Sequence, residues 1–162
     1  MSTTVETILL YTIAAGLLSI VYGYFTGKNI LSSSAGNSKM QDIASAIQIG
    51  AKAYLARQYK TISIVGVVVL VIVSFAFSPL VGLGYLIGAT LSGIAGYVGM
   101  LVSVEANVRT AEASRKGLAQ GLSVAFKSGA VTGMLVAGLA LLSIAVYYYL
   151  LLKFNIEESE VV

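Results

Sequence analysis

Few residues in this chain could do chemistry, and no pattern among them forms an active site. Magnesium-dependent phosphoryl chemistry needs several carboxylates that converge on the metal, with Lys or Arg on the phosphate oxygens. The chain has one aspartate, Asp42, and no closely spaced carboxylate pair inside an apolar run. It has no His and no Cys, which excludes disulfides, thiolate chemistry, His-based metal sites and nucleophilic triads. A Walker-type phosphate loop is also absent. We therefore assign no catalytic, cofactor-binding or metal-binding residue to this chain.

Glu105 is the nearest candidate for a carboxylate that carries an ion through a membrane. A charged side chain at the bilayer centre costs ~2.5–3.5 kcal/mol on insertion scales, so such residues are usually functional. Glu105 lies at the end of its apolar run, where that argument does not apply. Basic side chains could draw an anionic substrate to one face of the membrane. The simpler interpretation is that they mark topology and contact lipid headgroups; they are Arg57, Lys60, Arg109, Arg115 and Lys127.

The elements that must carry these residues are long apolar runs without charge. Charged residues make up 10% of the chain, against ~25% in soluble domains. A run of ~20 residues spans a bilayer core of ~30 Å. We predict an all-α, polytopic transmembrane helix bundle that forms a single membrane domain. Its four spans are residues 8–27, 56–77, 81–104 and 129–152.

Basic residues mark the orientation, because nine of the ten lie in two polar stretches. The positive-inside rule places these stretches, 28–60 and 105–127, in the cytoplasm. The N-terminus, the uncharged turn at Pro79 and the acidic tail with Glu157, Glu158 and Glu160 are then expected outside. The first apolar run lacks a basic flank and a clear cleavage site, so we expect a retained helix and not a signal peptide.

Both basic connections have helical patterns. Ser38 and Gln41 fit a capping box, and the amphipathic pattern that follows runs straight into the second span. The alternative is a separate helix that lies flat on anionic lipid. In the second connection, Glu105 and Arg109, and Glu112 and Lys116, are spaced as i,i+4 ion pairs. We expect cytoplasmic helical extensions, with residues 27–37 as the one flexible linker.

Small residues recur at four-residue spacing in three of the spans. Such stripes let helices approach closely in lipid and predict a tightly packed bundle. An alternative is that these glycines line a substrate path. The stripes are Ala15, Ser19, Gly23 and Gly27, then Gly84, Gly88, Ser92 and Gly96, and lastly Gly129, Gly133 and Ala137. The run Tyr147-Tyr148-Tyr149 is typical of an interfacial aromatic belt.

Three ordered stretches resemble one family, the membrane-bound, proton-translocating inorganic pyrophosphatases. The first contains KMQDIASAIQIGAKAYLARQYKTI, within Gly36–Val69, and is similar to the second-helix signature of that family. The second contains LSGIAGYVGMLVSVEANVRTA, within Leu86–Leu118, and is similar to the third helix. The third, AFKSGAVTGMLVAGLALL over Ala125–Leu142, is similar to the start of the fourth. The resemblance covers most of the chain except the first helix and the tail.

The resemblance implies a sixteen-helix pump that works as a homodimer and couples hydrolysis of magnesium-pyrophosphate to proton export. This chain then corresponds to the N-terminal quarter, which supplies outer scaffold helices. The family's Asp-rich site, its Mg2+ and its ion gate lie on later helices, so residues 1–162 alone are predicted to be inactive. We expect pyrophosphate as the substrate of the whole protein, the lipid bilayer as a partner, no nucleic acid, and a prokaryotic inner membrane. Dependence on K+ and the choice of H+ or Na+ stay open.

Two other classes fit the composition. A proteolipid rotor subunit of a rotary ATPase is also a small, Gly-rich, four-helix chain, but its mechanism requires a mid-membrane carboxylate, which every span here lacks. A non-catalytic four-helix membrane assembly protein is compatible with the composition and is disfavoured only by the matched motifs.

Overall fold

The computed structural model describes residues 3–154, which fold into four long α-helices. Each helix is long and apolar enough to cross a membrane, which confirms the predicted all-α bundle. The predicted outward position of the acidic tail concerns residues outside the described range. The helices are α1 Thr3–Leu31, α2 Ser38–Ala76, α3 Pro79–Ser114 and α4 Leu118–Lys153.

Helices α2, α3 and α4 extend well past the apolar runs from which they were predicted, and α4 does so by beginning at Leu118, ahead of its predicted span at 129–152. Helix α2 has 39 residues and is about 58 Å long, roughly twice the hydrocarbon thickness. It is uninterrupted from Ser38 to Ala76, so the amphipathic segment continues into the second span and is not a separate surface helix. Helix α3 likewise continues beyond Glu105 to Ser114.

The linker predicted over residues 27–37 is shorter in the structure, where it covers only 32–37. Residues 27–31 form the last turn of α1. Ile30 is 3% exposed and packs with Ala106 and Val131 in the hydrophobic core. Burial of Ile30 holds this Gly- and Asn-containing segment helical, because tertiary packing outweighs weak local propensity.

Helix α2 begins one residue earlier than the predicted capping box. Asn37 is the N-cap, with an extended backbone, and its Oδ1 accepts a hydrogen bond from the Met40 amide at 3.0 Å. The Gln41 side chain donates to the Gly36 carbonyl at 2.9 Å and does not complete the box. Asn caps a helix as well as Ser does, so the sequence Asn37-Ser38 offered two equivalent caps.

The spatial order of the helices differs from their order in the chain. Helix α1 packs along α4, α4 packs along α3, and α3 packs along α2, with a smaller contact between α1 and α3. The first helix therefore lies beside the last. We call the end of the bundle with the 32–37 linker and the 115–117 turn the basic end, and the opposite end the Pro79 end.

The contact between α1 and α4 depends on two glycines. A Cβ atom at Gly138 would lie 2.8 Å from the Gly16 carbonyl oxygen and 2.9 Å from the Ser19 Cβ. A Cβ atom at Gly16 would meet Leu142 at 2.8 Å. Only glycine permits this approach, which brings the two backbones into van der Waals contact.

The small-residue stripes were only partly correct as packing faces. Ser19, Gly23 and Gly27 are buried against α4, but Ala15 is exposed and Gly16 takes its place. The α4 stripe of Gly129, Gly133 and Ala137 is exposed, and a Cβ atom at either glycine would meet nothing within 4 Å. A four-residue spacing fixes which residues share a face but not which face meets a neighbour. The α4 residues that are buried are Gly121, Ser128, Val131, Gly138, Ala145 and Leu151.

Candidate functional site

A polar cleft of about 440 Å³ lies at the basic end, between the 32–37 linker and the start of α4. It forms where the linker, the end of α3 and the first turns of α4 meet. The linker supplies two hydroxyls, α3 supplies an Arg and a Glu, and α4 supplies an amide and a hydroxyl. The polar lining residues are Ser33, Ser34, Arg109, Glu112, Lys116, Gln120 and Ser123.

Arg109 lines this cleft and connects α3 to the end of α1. Its guanidinium forms an ion pair with Glu105 at 3.1 Å, which confirms the predicted i,i+4 pair. The same group donates to the Leu31 carbonyl oxygen through Nη2 at 3.0 Å and through Nε at 3.3 Å. Its side chain is only 13% exposed. The Arg109 guanidinium therefore holds α1 against α3, and its donors are largely occupied by Glu105 and Leu31 and are not available to a ligand.

Glu112 pairs differently from the prediction. Its carboxylate contacts the Arg115 guanidinium at 3.1 Å, an i,i+3 pair, and not Lys116. The helix ends at Ser114, so Lys116 lies in the following turn and is no longer one helical turn above Glu112. The Arg115 side chain is 61% exposed, and ion pairs of this kind contribute ~0.2–1 kcal/mol.

The remaining cations considered as an anion attractor do not meet in this cleft. Arg57, Lys60 and Lys127 are exposed, and none of them forms an ion pair with another described residue. Arg57 and Lys60 lie on α2, which packs on α3 and is separated from α1 and α4. The structure therefore does not bring the five cations together into one binding site.

A second, apolar groove of about 250 Å³ lies between α2 and α3 at the basic end. Its walls are Met40, Ile43, Ala44 and Ile47 on α2 and the facing turn Val104–Ala111 on α3. Only Asn107 contributes a polar side chain. The groove has no group that could act on a substrate.

Sequence reasoning missed two features of the cleft. The Leu31 carbonyl is a helix-terminal acceptor that accepts from Arg109, and no sequence pattern shows which side chain will reach such a carbonyl. Ser33 and Ser34 were assigned to a flexible linker, whereas they line the cleft beside Arg109. Glu105, the one candidate for ion translocation, is occupied by Arg109.

The described residues do not fit a magnesium site. Among residues 3–154 no three His, Cys, Asp or Glu side chains come close enough to hold a metal ion together. Mg2+ requires oxygen ligands from carboxylates or from a bound phosphate. We derive no catalytic step through Mg2+ on this chain.

The geometry of the cleft does not identify a family, but comparison with known proteins does. The family model described as inorganic H+ pyrophosphatase matches residues 17–162. This chain belongs to that family. The K+-insensitive pyrophosphate-energized proton pump of Methanosarcina mazei is 46% identical over 84% of the chain. The putative K+-stimulated pyrophosphate-energized sodium pump of Bacteroides thetaiotaomicron is 39% identical over 85%.

Membership of the pyrophosphatase family confirms the resemblance that the sequence motifs indicated. The chain spans about a fifth of the length of these relatives, 21% and 20% respectively. Its four apolar helices and its family together identify it as a multi-pass membrane protein.

Proposed function

We propose that this chain is part of an ion pump that couples hydrolysis of inorganic pyrophosphate to proton translocation across a membrane. The observation that carries the proposal is the family match over residues 17–162, together with 46% identity to a protein named as such a pump. Within the pump, these four helices act as scaffold and the hydrolytic site lies elsewhere. The lack of a carboxylate cluster in residues 3–154 supports that division.

Sodium is the second candidate for the transported ion. Relatives from Bacteroides thetaiotaomicron and Clostridium tetani, both 39% identical to this chain, are named putative K+-stimulated pyrophosphate-energized sodium pumps. The proton is preferred because the Methanosarcina mazei relative is more similar, at 46% identity. Dependence on K+ follows the same division between the named relatives.

The remaining features of the pump are proposals of the same rank. Mg2+ would accompany pyrophosphate at a site on other helices, and two copies would form a homodimer. The 32–37 linker and the 115–117 turn would face the cytoplasm of a prokaryotic inner membrane, because the basic residues concentrate there. Both ends of the chain would lie outside.

Transport in proteoliposomes tests this function. The complete polypeptide that contains this sequence is reconstituted and supplied with magnesium and pyrophosphate. We expect acidification of the lumen that a protonophore abolishes; uptake of 22Na+ that persists with the protonophore would identify sodium instead. Absence of both would contradict the pump.

The scaffold assignment needs a separate measurement on residues 1–162 purified alone. We expect neither binding nor hydrolysis of pyrophosphate in the presence of magnesium. Measurable magnesium-dependent hydrolysis would show that this segment carries a catalytic site after all.

A further inference from the structure

Two exposed cations on α2, Arg57 and Lys60, lie further along the bundle axis from the basic end than Lys28 and Lys127 do. The depth can be read from contacts between helices. Tyr59 donates to the Gly93 carbonyl at 2.8 Å, so residues 59 and 60 on α2 lie level with the middle of α3. Thr132 on α4 contacts Gly99 on α3, and Val131 contacts Gly27 on α1.

These contacts place Lys28 level with residue 100 of α3 and Lys127 nearer the basic end still. At 1.5 Å per residue, Lys60 lies about 10 Å further from the basic end than Lys28 and about 17 Å further than Lys127. Arg57, one turn before Lys60, is intermediate. Both side chains are exposed, and no described acidic side chain pairs with either.

The length of the uncharged stretch of α2 independently indicates that Lys60 lies further from the basic end than Lys28 does. From Thr61 to Ala76 the helix has only 16 uncharged residues, about 24 Å, which is short of the ~30 Å hydrocarbon core. In α1 the uncharged stretch between Glu6 and Lys28 is about 32 Å long. In a bilayer whose hydrocarbon core matches the uncharged stretch of α1, the backbone at Lys60 would therefore lie inside that core.

Side-chain reach compensates for only part of the offset of about 10 Å between Lys60 and Lys28. Side chains on a helix lean toward its N-terminus, which for α2 is the basic end, so both cations can extend about 6 Å toward the surface. Short apolar stretches are accommodated by such extension together with local thinning of the bilayer. Tyr97, 41% exposed, packs against Tyr59 at about the level of these cations, and Tyr is a residue type found at membrane interfaces.

We propose that Arg57 and Lys60 bind the phosphate of an anionic phospholipid, held beside α2 at a greater depth than the neighbouring headgroups. The occupant is a lipid because the two cations share one exposed face of α2 with the apolar side chains of Ile64 and Val68, a combination that matches a charged headgroup above acyl chains. Charge complementarity selects an anionic headgroup, and a basic residue near an anionic surface strengthens lipid binding by about fivefold.

Lipid selectivity tests the proposal on the complete polypeptide in nanodiscs of phosphatidylcholine with phosphatidylglycerol. The preference for spin-labelled phosphatidylglycerol over phosphatidylcholine is measured for a variant with Arg57→Gln and Lys60→Gln. The control, Lys39→Gln with Lys116→Gln, removes the same charge outside the bilayer. We expect the preference to fall by about threefold or more in the first variant only. Equal preferences in both variants would overturn the proposal.

A depth measurement distinguishes the other possible occupants. In the complete polypeptide, with any Cys outside residues 1–162 replaced, a fluorophore is placed at Ile64→Cys on α2 or at Ala15→Cys, an exposed position at the same level on α1; residues 1–162 themselves contain no Cys. Headgroup-attached nitroxide should quench the probe at position 64 more strongly. No quenching of that probe by any lipid nitroxide would show that polypeptide covers this face, and loss of the lipid preference on addition of inorganic phosphate would show a site for the free anion. Either result would overturn the proposal.

Discussion

Arg109 on α3 donates two hydrogen bonds to the carbonyl oxygen of Leu31, the last residue of α1. The last carbonyls of a helix lack intrahelical partners, and a cation there also interacts favourably with the helix dipole. The Arg109 guanidinium thus caps the last carbonyl of α1, and its ion pair with Glu105 fixes its position on α3. This contact sets the geometry of the basic end.

Removal of this guanidinium should destabilise the bundle. We expect Arg109→Ala to lower the free energy of unfolding by about 2 kcal/mol, the magnitude for hydrogen bonds to a charged, largely buried group. Equilibrium unfolding in mixed micelles gives the value. Arg115→Ala is the matched control, because its exposed ion pair with Glu112 should contribute less than about 0.5 kcal/mol. Equal losses would show that Arg109 does not hold α1.

The glycine contact between α1 and α4 predicts a contrast between two glycines of α4. We expect Gly138→Ala to cost about 1–3 kcal/mol, because its Cβ would overlap Gly16 and Ser19. Gly133→Ala, where a Cβ meets nothing within 4 Å, should be neutral or slightly stabilising through helix propensity. Thermal unfolding followed by circular dichroism compares the two. Equal effects would mean that α1 does not pack on this face of α4.

The observed N-cap of α2 predicts different effects at adjacent residues. Asn37→Ala should destabilise the first turn of α2 by about 1 kcal/mol, because the Met40 amide loses its acceptor. Ser38→Ala should have little effect. Hydrogen exchange of the Met40 and Gln41 amides measures the two caps, and faster exchange of the Gln41 amide in the Ser38 variant, with no change at Met40 in the Asn37 variant, would restore the capping box predicted from the sequence.

Tyr59 predicts a contact between α2 and α3 within the membrane. Tyr59→Phe removes the bond to the Gly93 carbonyl but keeps the edge-to-face contact with Tyr97, whose ring centroid is 5.3 Å away. We expect a loss of about 0.6 kcal/mol, the mean for interhelical hydrogen bonds in membranes. Tyr54→Phe, at an exposed position one turn away, is the control and should be silent. Steric trapping of unfolding in bicelles resolves differences of this size.

The sequence alone was sufficient to predict the number of helices, because an uncharged apolar run of this length is most stable as a membrane-spanning helix. It was also sufficient for the continuity of α2, since no Gly or Pro breaker separates the amphipathic segment from Ile62. The sequence was insufficient to predict which helix faces pack against each other. Small residues recur on several faces of α4, and only the folded bundle shows that Gly138 and not Gly133 meets α1.

Side-chain pairing at the basic end failed for a related reason. The i,i+4 rule predicted Glu112 with Lys116, but it holds only while the helix continues, and α3 ends at Ser114. The Leu31 acceptor of Arg109 is 78 residues away in sequence, so no local pattern could identify it. The expectation that this chain carries no catalytic residue rests on its composition and stays a prediction.

The position of α1 beside α4 has a consequence for the order of synthesis. Helix α1 enters the membrane first, but its main packing partner is the last of the four helices to be made. Until then the face with Gly16, Ser19 and Gly23 must be solvated by acyl chains, which fit poorly against so flat a surface. Packing of α4 against this face displaces those chains. Release of lipid from this face therefore contributes to the assembly of the bundle, and it can occur only after α2 and α3 are in place.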